Sequence, residues 1–347
     1  MRIREHVNLR EYNTFQVSAH AAWFSEVGHL TDLVALLRSG ISPMLILGEG
    51  SNVLFTANFP GLIIKTGFKG RSWQPDSTRE GYANVEVAAG ENWSDFVYWT
   101  IGEGLGGLEN LSLIPGTAGA APIQNIGAYG VELADVLSGL EAYDILEGKL
   151  RRLDTAECEF GYRNSRFKQD WKGRFVITRL FFSLTRENHC LHTAYGNLEV
   201  LLSTIPSEKR TPRAVSGVVT TVRRSKLPDP AVTGNAGSFF KNPEIGEDKL
   251  LSLQQEFPDL NYFPIAGGRY KLPAAWLLER SGWKGKQLGR VACHGRQPLV
   301  LVNKGKASGT EIVEFAIEVA RDIRRKFGLR LEPEVNIYPP DRWPEDI

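Results

Sequence analysis

The chain has 347 residues, a length that predicts two or three domains. Its 42% hydrophobic and 23% charged residues are typical of an ordinary globular protein. Because 41 Lys and Arg residues balance 40 Asp and Glu residues, the net charge of +1 excludes a general electrostatic attraction to nucleic acid or to an anionic membrane.

The cysteines and the apolar runs bear on the cellular compartment. Cys158, Cys190 and Cys293 are widely separated and odd in number, which favours a reducing cytosol over a disulfide framework. Residues 1–15 are polar and lack the apolar core of a signal peptide. The charge-free run 111–131 is long enough for a membrane span, but its prolines, glycines and amides would be costly in lipid. We therefore expect a cytoplasmic protein without a transmembrane segment.

Residues 1–70 predict a small α/β unit. Apolar residues at helical spacing predict a helix over 27–38. Short apolar runs predict strands at 44–47, 53–55 and 62–65.

Residues 71–222 mix strands and helices without a regular βαβ rhythm, which favours an α+β domain over a doubly wound sheet. The predicted elements are a strand at 85–89, a helix at 93–102, a hairpin of 138–145 with 149–153, and a strand at 175–184.

Two prolines within 226–230 exclude regular structure there and mark a border before a third unit. This unit predicts a helix near 274–280, a strand at 300–302 and an amphipathic helix over 311–327. The tail 331–338 predicts a last strand.

Two glycine motifs need different interpretations. The loop 48–52 lies between predicted strands, and its glycines permit a nest of N–H groups for phosphate oxygens, with a plain β-turn as an equal alternative. Gly102, Gly104 and Gly107 match G-x-G-x-x-G. They follow a predicted helix instead of a strand, so we interpret them as a helix C-cap and not as a dinucleotide fingerprint.

The segment 114–130 is rich in small residues, which let a backbone lie close against a flat or elongated ligand. Thr117, Gln124 and Asn125 supply directional hydrogen bonds within it. Since a structureless loop of this length is uncommon in a compact domain, the segment favours ligand binding over a purely structural role.

Other candidate motifs are weaker signals of function. Ser238 follows a glycine-bearing turn, but its surroundings are not the G-x-S-x-G elbow of hydrolases, so a nucleophilic serine is unsupported. Phe239 and Phe240 are predicted to pack in a core. His189 and His192 lack a further ligand cluster at suitable spacing, so no metal is predicted. The sequence has no P-loop pattern, which argues against an NTPase.

Several motifs taken together are far more specific than any one of them. They occur in order along the chain at 47–54, 114–130, 161–168, 237–243 and 331–335. Together they resemble the UDP-N-acetylenolpyruvoylglucosamine reductase (MurB) family, and the match extends from Asn13 to Val335.

The resemblance implies an α+β fold. It consists of a vanillyl-alcohol-oxidase-type (PCMH-type) FAD-binding fold in two subdomains, 1–70 and 71–222, plus a C-terminal α+β substrate-binding domain, 223–330. The tail 331–347 is expected to pack back on the first subdomain. The FAD diphosphate is expected near 48–52 and 114–130.

The implied activity is the FAD-dependent, NADPH-driven reduction of UDP-N-acetylglucosamine enolpyruvate to UDP-N-acetylmuramate. Such an enzyme serves peptidoglycan synthesis, and through it cell wall biogenesis, cell shape and cell division. The expected partners are the UDP-sugar and NADPH, and a monomer is expected. Two other functions stay open, namely a flavin oxidase of the same fold class and a non-catalytic UDP-sugar-binding protein.

The resemblance also implies roles for single residues. The implied catalytic residues are Arg163, Ser238 and Glu334. The implied cofactor-binding residues are Gly48, Glu49, Gly50, Ser51, Asn52, Ile114, Pro115, Gly116, Thr117, Asn125, Gly127 and Ala128. The implied substrate-binding residues are Tyr129, Tyr195, Arg223, Lys226, Asn242 and Gln297. Tyr195 resembles the tyrosine loop of the type I subtype, with an exposed turn tyrosine as the local alternative. Asn336 departs from the family, since related enzymes often carry arginine at this position.

In the implied mechanism, Arg163 binds the enolpyruvyl carboxylate and Glu334, if protonated, shares a proton with it. Ser238 protonates the carbon, and Arg223 with Lys226 holds the diphosphate. Without the resemblance, Arg163 would be interpreted as part of a surface salt bridge and Glu334 as a solvated carboxylate at a strand end.

Overall fold

The computed structural model describes residues 2–344 and 347, and the chain divides into two compact units. The first unit comprises Trp23–Glu49 and Gly61–Ser225, with the N-terminal residues up to Glu5. The second comprises His6–Ala22, Gly50–Pro60 and the chain from Lys226 onward. The division into two FAD-binding subdomains and a substrate-binding domain is a functional one and stays a prediction.

Strands and helices alternate irregularly along the chain. The strands of the described residues are β1 (Arg4–Asn8), β2 (His20–Val27), β3 (Met44–Leu47), β4 (Val53–Phe55), β5 (Phe59–Thr66), β6 (Arg71–Pro75), β7 (Tyr82–Ala88), β8 (Gly127–Ala128), β9 (Val131–Glu132), β10 (Leu137–Asp144), β11 (Lys149–Leu153), β12 (Phe175–Thr185), β13 (Glu244–Ile245), β14 (Phe263–Ile265), β15 (Arg269–Lys271), β16 (Gln287–Leu288), β17 (Val291–Cys293), β18 (Leu301–Asn303) and β19 (Asn336–Tyr338). The α-helices are α1 (Leu30–Leu37), α2 (Trp93–Gly102), α3 (Leu198–Leu202), α4 (Pro212–Lys226), α5 (Glu247–Glu256), α6 (Ala274–Arg280) and α7 (Gly309–Phe327).

The first unit is built on two sheets. The sheet of order β1-β2-β5-β3 belongs mainly to it, and β3 runs parallel to β5. The second sheet has the order β11-β10-β12-β7-β6 with antiparallel pairing throughout. Helix α2 buries Trp93, Phe96 and Val97 in a core that also holds Phe182 of β12. This core supports the turn after β7. The segment 114–130, called the glycine-rich segment below, lies on that turn.

The second unit packs around α7. Its apolar residues recur at helical spacing and are buried, while Ser308 and Glu311 form a capping box at its start. Gly328 ends the helix in the left-handed conformation. Two small sheets, β13-β15-β14 and β16-β17-β18, complete the unit with the parallel pair β4-β19.

The predicted tail strand is shorter than expected. Only Asn336–Tyr338 forms a strand, and it pairs with β4. Pro333 has no N–H to offer a ladder, and the chain before β19 instead bonds to the segment 239–241. The sequence also did not predict β1, β2, β6, α4 and α5.

Several features bear on the remaining predictions. Helix α4 ends at Lys226, where the proline-containing break begins, as predicted. Every helix in the described part of the chain is too short or too polar to cross a bilayer. Cys158 and Cys293 are buried, and burial raises the pKa of each thiol to about 12, whereas Cys190 is exposed.

A buried ion pair closes the hairpin of β10 and β11. Asp144 is fully buried and accepts hydrogen bonds from Arg174 Nη2 at 2.6 Å and Nε at 3.1 Å. It also accepts from the backbone N–H of Leu146 and Glu147, at 3.0 and 3.2 Å. The Arg174 guanidinium holds the pKa of the Asp144 carboxyl below its ordinary value, against the opposing effect of burial.

We predict that Asp144→Asn lowers the free energy of unfolding by about 2 kcal/mol at pH 7, because Arg174 then loses its charged partner. The pKa of Asp144 is lowered in the folded state. Its stabilisation is therefore present above the unfolded pKa of about 3.9 and lost as the pH falls through the folded pKa. Urea denaturation at pH 7 and about pH 3 measures the difference, which should shrink at the lower pH. The exposed Asp248→Asn is the control, and an equal loss there would contradict the prediction.

Candidate active site

The loop after β3 approaches the glycine-rich segment very closely in the first unit. A Cβ at Gly48 would lie 2.5 Å from Thr117 Oγ1, so only glycine fits there without a shift. Glu49 accepts hydrogen bonds from Asn92 Nδ2 at 2.8 Å and from the Gly116 N–H at 3.2 Å. Two segments that were predicted to bind the cofactor are therefore joined directly.

The glycine-rich segment lies on the turn between β7 and α2. The Ala118 N–H donates to Glu91 O at 2.9 Å, and the Gly119 N–H donates to Ala89 O at 2.8 Å. A Cβ at Gly119 would lie 2.6 Å from Ala89 Cβ. The small residues thus serve close packing of backbone on backbone, and a 3-10 helix over Ala118–Gln124 replaces the open loop.

Thr117 carries an unsatisfied hydroxyl. The residue is 4% exposed, and its Oγ1 has no hydrogen-bond partner among the described residues. A buried hydroxyl without a partner costs about 1–3 kcal/mol. The cost is recovered if a bound group supplies the partner, so this atom fits a cofactor lying against the segment.

Asn125 is fully engaged within the protein. It is 1% exposed and left-handed, with φ of 45°. Its Nδ2 donates to Glu132 Oε2 at 2.7 Å and to Gly161 O at 3.2 Å, and its Oδ1 accepts from the Ala134 N–H at 3.1 Å. Its amide therefore fixes the course of the segment and links it to the turn at Gly161. A cofactor contact by Asn125 stays a prediction.

Arg163 occupies a strained position in that turn. Gly161 and Asn164 exchange backbone hydrogen bonds of 3.0 and 3.1 Å around it, and Arg163 has φ of 52°. Its Nη2 donates to Gly127 O at 2.6 Å. A bulky residue with positive φ is uncommon, and such strain is concentrated at functional sites. The turn thus directs a guanidinium to the end of the glycine-rich segment.

Arg223 of α4 and Arg163 lie close enough for their positive charges to interact, and we call the two residues the cationic cluster. The Nε of Arg223 is buried without a hydrogen-bond partner among the described residues. Burial lowers the pKa of the Arg223 guanidinium, Tyr129 and Tyr98 counteract this, and the charge of Arg163 lowers it further. Two neighbouring guanidinium groups flanked by phenols favour the binding of an anion.

Tyr129 and Tyr195 lie together beside this cluster. Their ring centroids are 6.2 Å apart with an interplanar angle of 83°. Burial raises the pKa of Tyr129, while the charge of Arg223 opposes the rise. Tyr195 is 58% exposed. Both tyrosines were predicted to contact substrate, and the structure brings them to one place in the first unit.

The backbone segments that carry Ser238 and Glu334 lie side by side in the second unit. Ser238 pairs with Val300, and the next residue, Phe239, accepts from the Glu334 N–H at 2.7 Å. Phe239 and Phe240 are buried, so their prediction as packing residues is confirmed. The turn at Gly237, with φ of 70°, brings the chain to Ser238.

The loop from Gly50 to Asn52 bonds to the segment that carries Glu334 and Asn336. A Cβ at Gly50 would lie 2.1 Å from Tyr12 O, and Gly50 has φ of 65°. Asn52 Nδ2 donates to Glu334 O at 3.2 Å. Asn336 donates to Asn52 O from its backbone N–H at 3.1 Å and from Nδ2 at 3.0 Å. Asn336, the residue that departs from the family, thus bonds to the backbone of this loop with both its main chain and its side chain.

The remaining predicted residues have varied settings. Asn242 Oδ1 accepts from the Ala274 N–H at 2.9 Å and thereby caps α6. Gln297 O accepts from the Val300 N–H at 3.0 Å. Lys226 is exposed at the end of α4. Gly127 and Ala128 form β8, and Ile114 packs against the core of the first unit. Ser51 and Pro115 lie in the two loops described above.

Sequence reasoning missed two asparagines. Asn92 caps α2 by accepting from the Asp95 N–H and also bonds Glu49. Its position directly before a predicted helix is a recognisable capping signal. Asn110 is 1% exposed and donates to two backbone carbonyls, and no sequence pattern marks that role.

We predict that Thr117→Val weakens FAD binding about fivefold, because valine cannot make the hydrogen bond that we expect between the Thr117 hydroxyl and the cofactor. The FAD-free protein should be as stable as the parent or more so, since an unsatisfied buried hydroxyl is removed. Titration of the FAD-free protein by flavin fluorescence, with urea denaturation in parallel, measures both.

Thr178→Val is the matched control. Thr178 Oγ1 donates within the protein, to Glu141 O and Oε1 at 3.1 and 2.8 Å. This variant should lose stability and keep its FAD affinity. Unchanged FAD affinity in Thr117→Val would contradict the assignment of Thr117 to the cofactor.

Known families match most of the chain. A family described as "FAD binding domain" matches residues 19–154, and one described as "UDP-N-acetylenolpyruvoylglucosamine reductase, C-terminal domain" matches residues 229–338. The predicted FAD-binding fold, followed by a C-terminal domain of this reductase family, is thereby confirmed.

Similar proteins match nearly the full length of this chain. The UDP-N-acetylenolpyruvoylglucosamine reductase of Pseudomonas aeruginosa is 46% identical over 341 residues, covering 97% of this chain and 99% of the relative. That of Flavobacterium johnsoniae is 40% identical over 338 residues, covering 97% and 100%. The crystal structure of MurB from Thermus caldophilus shares the fold, with a TM-score of 0.66 and 23% identity over 98% of this chain and 100% of that chain. The chain therefore belongs to the UDP-N-acetylenolpyruvoylglucosamine reductase family.

Proposed function

We infer that this chain is an FAD-dependent reductase that uses NADPH to convert UDP-N-acetylglucosamine enolpyruvate to UDP-N-acetylmuramate. The observation that carries the inference is the 46% identity, over nearly the whole chain, to a reductase of that name. The match of residues 19–154 to an FAD-binding domain supports the cofactor. The activity belongs to peptidoglycan synthesis. We further propose that the enzyme acts in the cytoplasm as a monomer.

FAD, when bound, supplies the hydride-transfer chemistry. In the first unit, Gly48 and the segment around Thr117 offer a close backbone approach and an unsatisfied hydroxyl. In the second unit, the loop from Gly50 to Asn52 begins with a left-handed conformation at Gly50, which is the kind of backbone that forms anion-binding nests. We propose that these residues bind the cofactor.

The cationic cluster of the first unit suits a substrate with several negative charges. The UDP-sugar carries a diphosphate and a carboxylate. Arg163 presents a two-pronged donor suited to the carboxylate, and Arg223 with Lys226 is suited to the diphosphate. Burial of the Arg223 Nε without a partner makes an anionic ligand favourable there. Tyr129, Tyr195, Asn242 and Gln297 are proposed as further substrate contacts.

The chain's own contribution to the chemistry is charge stabilisation and proton delivery. Reduction of a double bond beside a carboxylate places negative charge on the carbon next to that carboxylate. Arg163 stabilises this charge as it spreads onto the carboxylate, and Glu334, if protonated, can share a proton with a carboxylate oxygen. Ser238 donates a proton to the carbon. An alcohol is a weak acid, so this donation depends on the strong basicity of the reduced substrate.

The activity is tested by anaerobic absorbance spectroscopy of the purified protein. NADPH should bleach the flavin absorption band. Under anaerobic conditions the band should return only when UDP-N-acetylglucosamine enolpyruvate is added. Rapid recovery with oxygen but not with the enolpyruvyl sugar would instead indicate an oxidase. A protein without a flavin band, even after FAD is added, would be a binding protein and would contradict the reductase.

We predict that Ser238→Ala leaves flavin reduction by NADPH intact and slows reoxidation by the enolpyruvyl sugar at least about a hundredfold, because the carbon loses its proton donor. Stopped-flow absorbance separates the two half-reactions. Ser252→Ala, at an exposed position of α5, is the control and should behave as the parent. Normal reoxidation in Ser238→Ala would remove Ser238 from the mechanism.

A further inference from the structure

A buried asparagine lies shortly before the proposed proton donor. Asn235 is 5% exposed and comes three residues before Ser238 in the second unit. Its Nδ2 donates to Thr233 O at 2.8 Å and to Pro228 O at 3.2 Å, and its Oδ1 accepts from the Gly237 N–H at 3.0 Å. These partners fix the orientation of the amide, because a carbonyl only accepts and an N–H only donates.

The bond to Gly237 is made by the side chain of Asn235 and not by its backbone. A side-chain oxygen that accepts from the N–H two residues later closes an Asx turn, in which it takes the place of a backbone carbonyl. Gly237 has φ of 70°, and a Cβ there would meet no heavy atom within 4 Å beyond its chain neighbours. The turn that leads to Ser238 therefore depends on backbone conformation and on this one amide oxygen, and not on crowding.

The chain is held on both sides of this turn. Before it, the Asn235 N–H donates to Thr14 O at 2.9 Å. After it, Ser238 pairs with Val300. Only residues 236 and 237 lie between these two anchors. Because the turn is so short, a change in its shape at residue 235 is passed directly to Ser238.

The nitrogen of the same amide serves a segment without regular structure. Pro228 and Pro230 exclude a strand ladder there, so the carbonyls of this segment need other donors. Asn235 supplies one to Pro228 O, and Gln16 Nε2 supplies another to Pro230 O at 2.7 Å. The two ends of the Asn235 amide thus have different tasks, since Nδ2 stabilises the preceding segment and Oδ1 shapes the turn.

We propose that Asn235 is a positioning residue for proton transfer, whose Oδ1 shapes the turn that places the Ser238 hydroxyl for donation to carbon. This rests on the proposed function, in which Ser238 protonates the reduced substrate. An alcohol is a weak acid, and a misplacement of about 1 Å can slow a reaction about a hundredfold. Asn235 acts through Ser238 and has no part in the reduction of flavin by NADPH.

The test introduces Asn235→Ala into two backgrounds, the parent and Ser238→Ala, and follows each FAD-loaded protein by anaerobic stopped-flow absorbance. In the parent background, we expect reoxidation by saturating enolpyruvyl sugar to slow about tenfold and flavin reduction by NADPH to change less than about twofold. In the Ser238→Ala background, reoxidation should slow no further, because the hydroxyl that Asn235 positions is gone. Equal slowing in both backgrounds would show a merely structural role and overturn the proposal.

Asn235→Asp separates the two ends of the amide. The carboxylate keeps an oxygen that can accept from the Gly237 N–H, but it loses both donations of Nδ2. We expect this variant to lose stability in urea denaturation and to reoxidise flavin within about threefold of the parent, since the Asx turn remains. Reoxidation as slow as in Asn235→Ala would contradict the assignment of the turn to Oδ1.

Asn13→Ala is the matched control. Asn13 is 4% exposed in the second unit, and its Nδ2 also donates to two carbonyls, Leu9 O at 2.7 Å and Val17 O at 2.9 Å. Its Oδ1 also accepts from a backbone N–H, that of Val17, at 3.0 Å. This variant should lose stability and keep both half-reactions. Slowed reoxidation in Asn13→Ala, to the degree seen in Asn235→Ala, would overturn the proposal.

Gly237→Ala keeps the proposal testable if the variants of Asn235 do not fold. The added methyl group meets no neighbour, but the positive φ is unfavourable for alanine, so the turn and not the core is disturbed. We expect reoxidation to slow about tenfold with flavin reduction unchanged, and reoxidation at the parent rate would overturn the proposal. Failure of the enolpyruvyl sugar to reoxidise flavin in the parent protein would instead refute the proposed function, before any variant is compared.

Discussion

The close contact between backbone segments in the first unit is the constraint on which its candidate site depends. Gly48 lies against Thr117 where no Cβ fits, and Gly119 lies against Ala89 in the same way. Such contacts need glycine on one side and a rigid support on the other. The support is the turn between β7 and α2, which is fixed by the buried aromatic residues of α2. The glycine-rich segment can then carry strained residues that an isolated loop could not hold.

The second unit uses a different device, a succession of backbone hydrogen bonds. Phe239 O holds the Glu334 N–H, and Asn52 Nδ2 holds Glu334 O. Asn336 in turn holds Asn52 O by two donors. The backbone of Glu334 is therefore fixed on both sides by segments that carry other predicted site residues. Backbone bonds of this kind place a side chain without using its own polar atoms.

The sequence predicted the elements whose pattern is local. Helix α7 has apolar residues at helical spacing and a capping box, and its predicted bounds differ from the observed ones by two residues at one end. Helix α4 was missed, because its valines and threonines are β-branched and lower helix propensity. The tail strand is shorter than predicted because Pro333, which has no N–H to donate, interrupts the apolar alternation before it.

The candidate site was predictable only in part, because many of its contacts join residues that are distant in the chain. Five motifs in order identify the family, and none of them reveals which side chains bond to each other. The engagement of Asn125 with Glu132 and Gly161, and the unsatisfied hydroxyl of Thr117, both arise from tertiary packing. Asn110 is the clearest case, since its partners lie 19 and 82 residues away in the chain.

The state of the three cysteines gives the molecule a chemical property of practical use. Cys158 and Cys293 are buried with a pKa of about 12, so at neutral pH they present almost no thiolate to a reagent. Cys190 is exposed and lies five residues before Tyr195. A thiol-directed fluorophore would therefore label the native protein at Cys190, close in the chain to Tyr195, without any engineered cysteine.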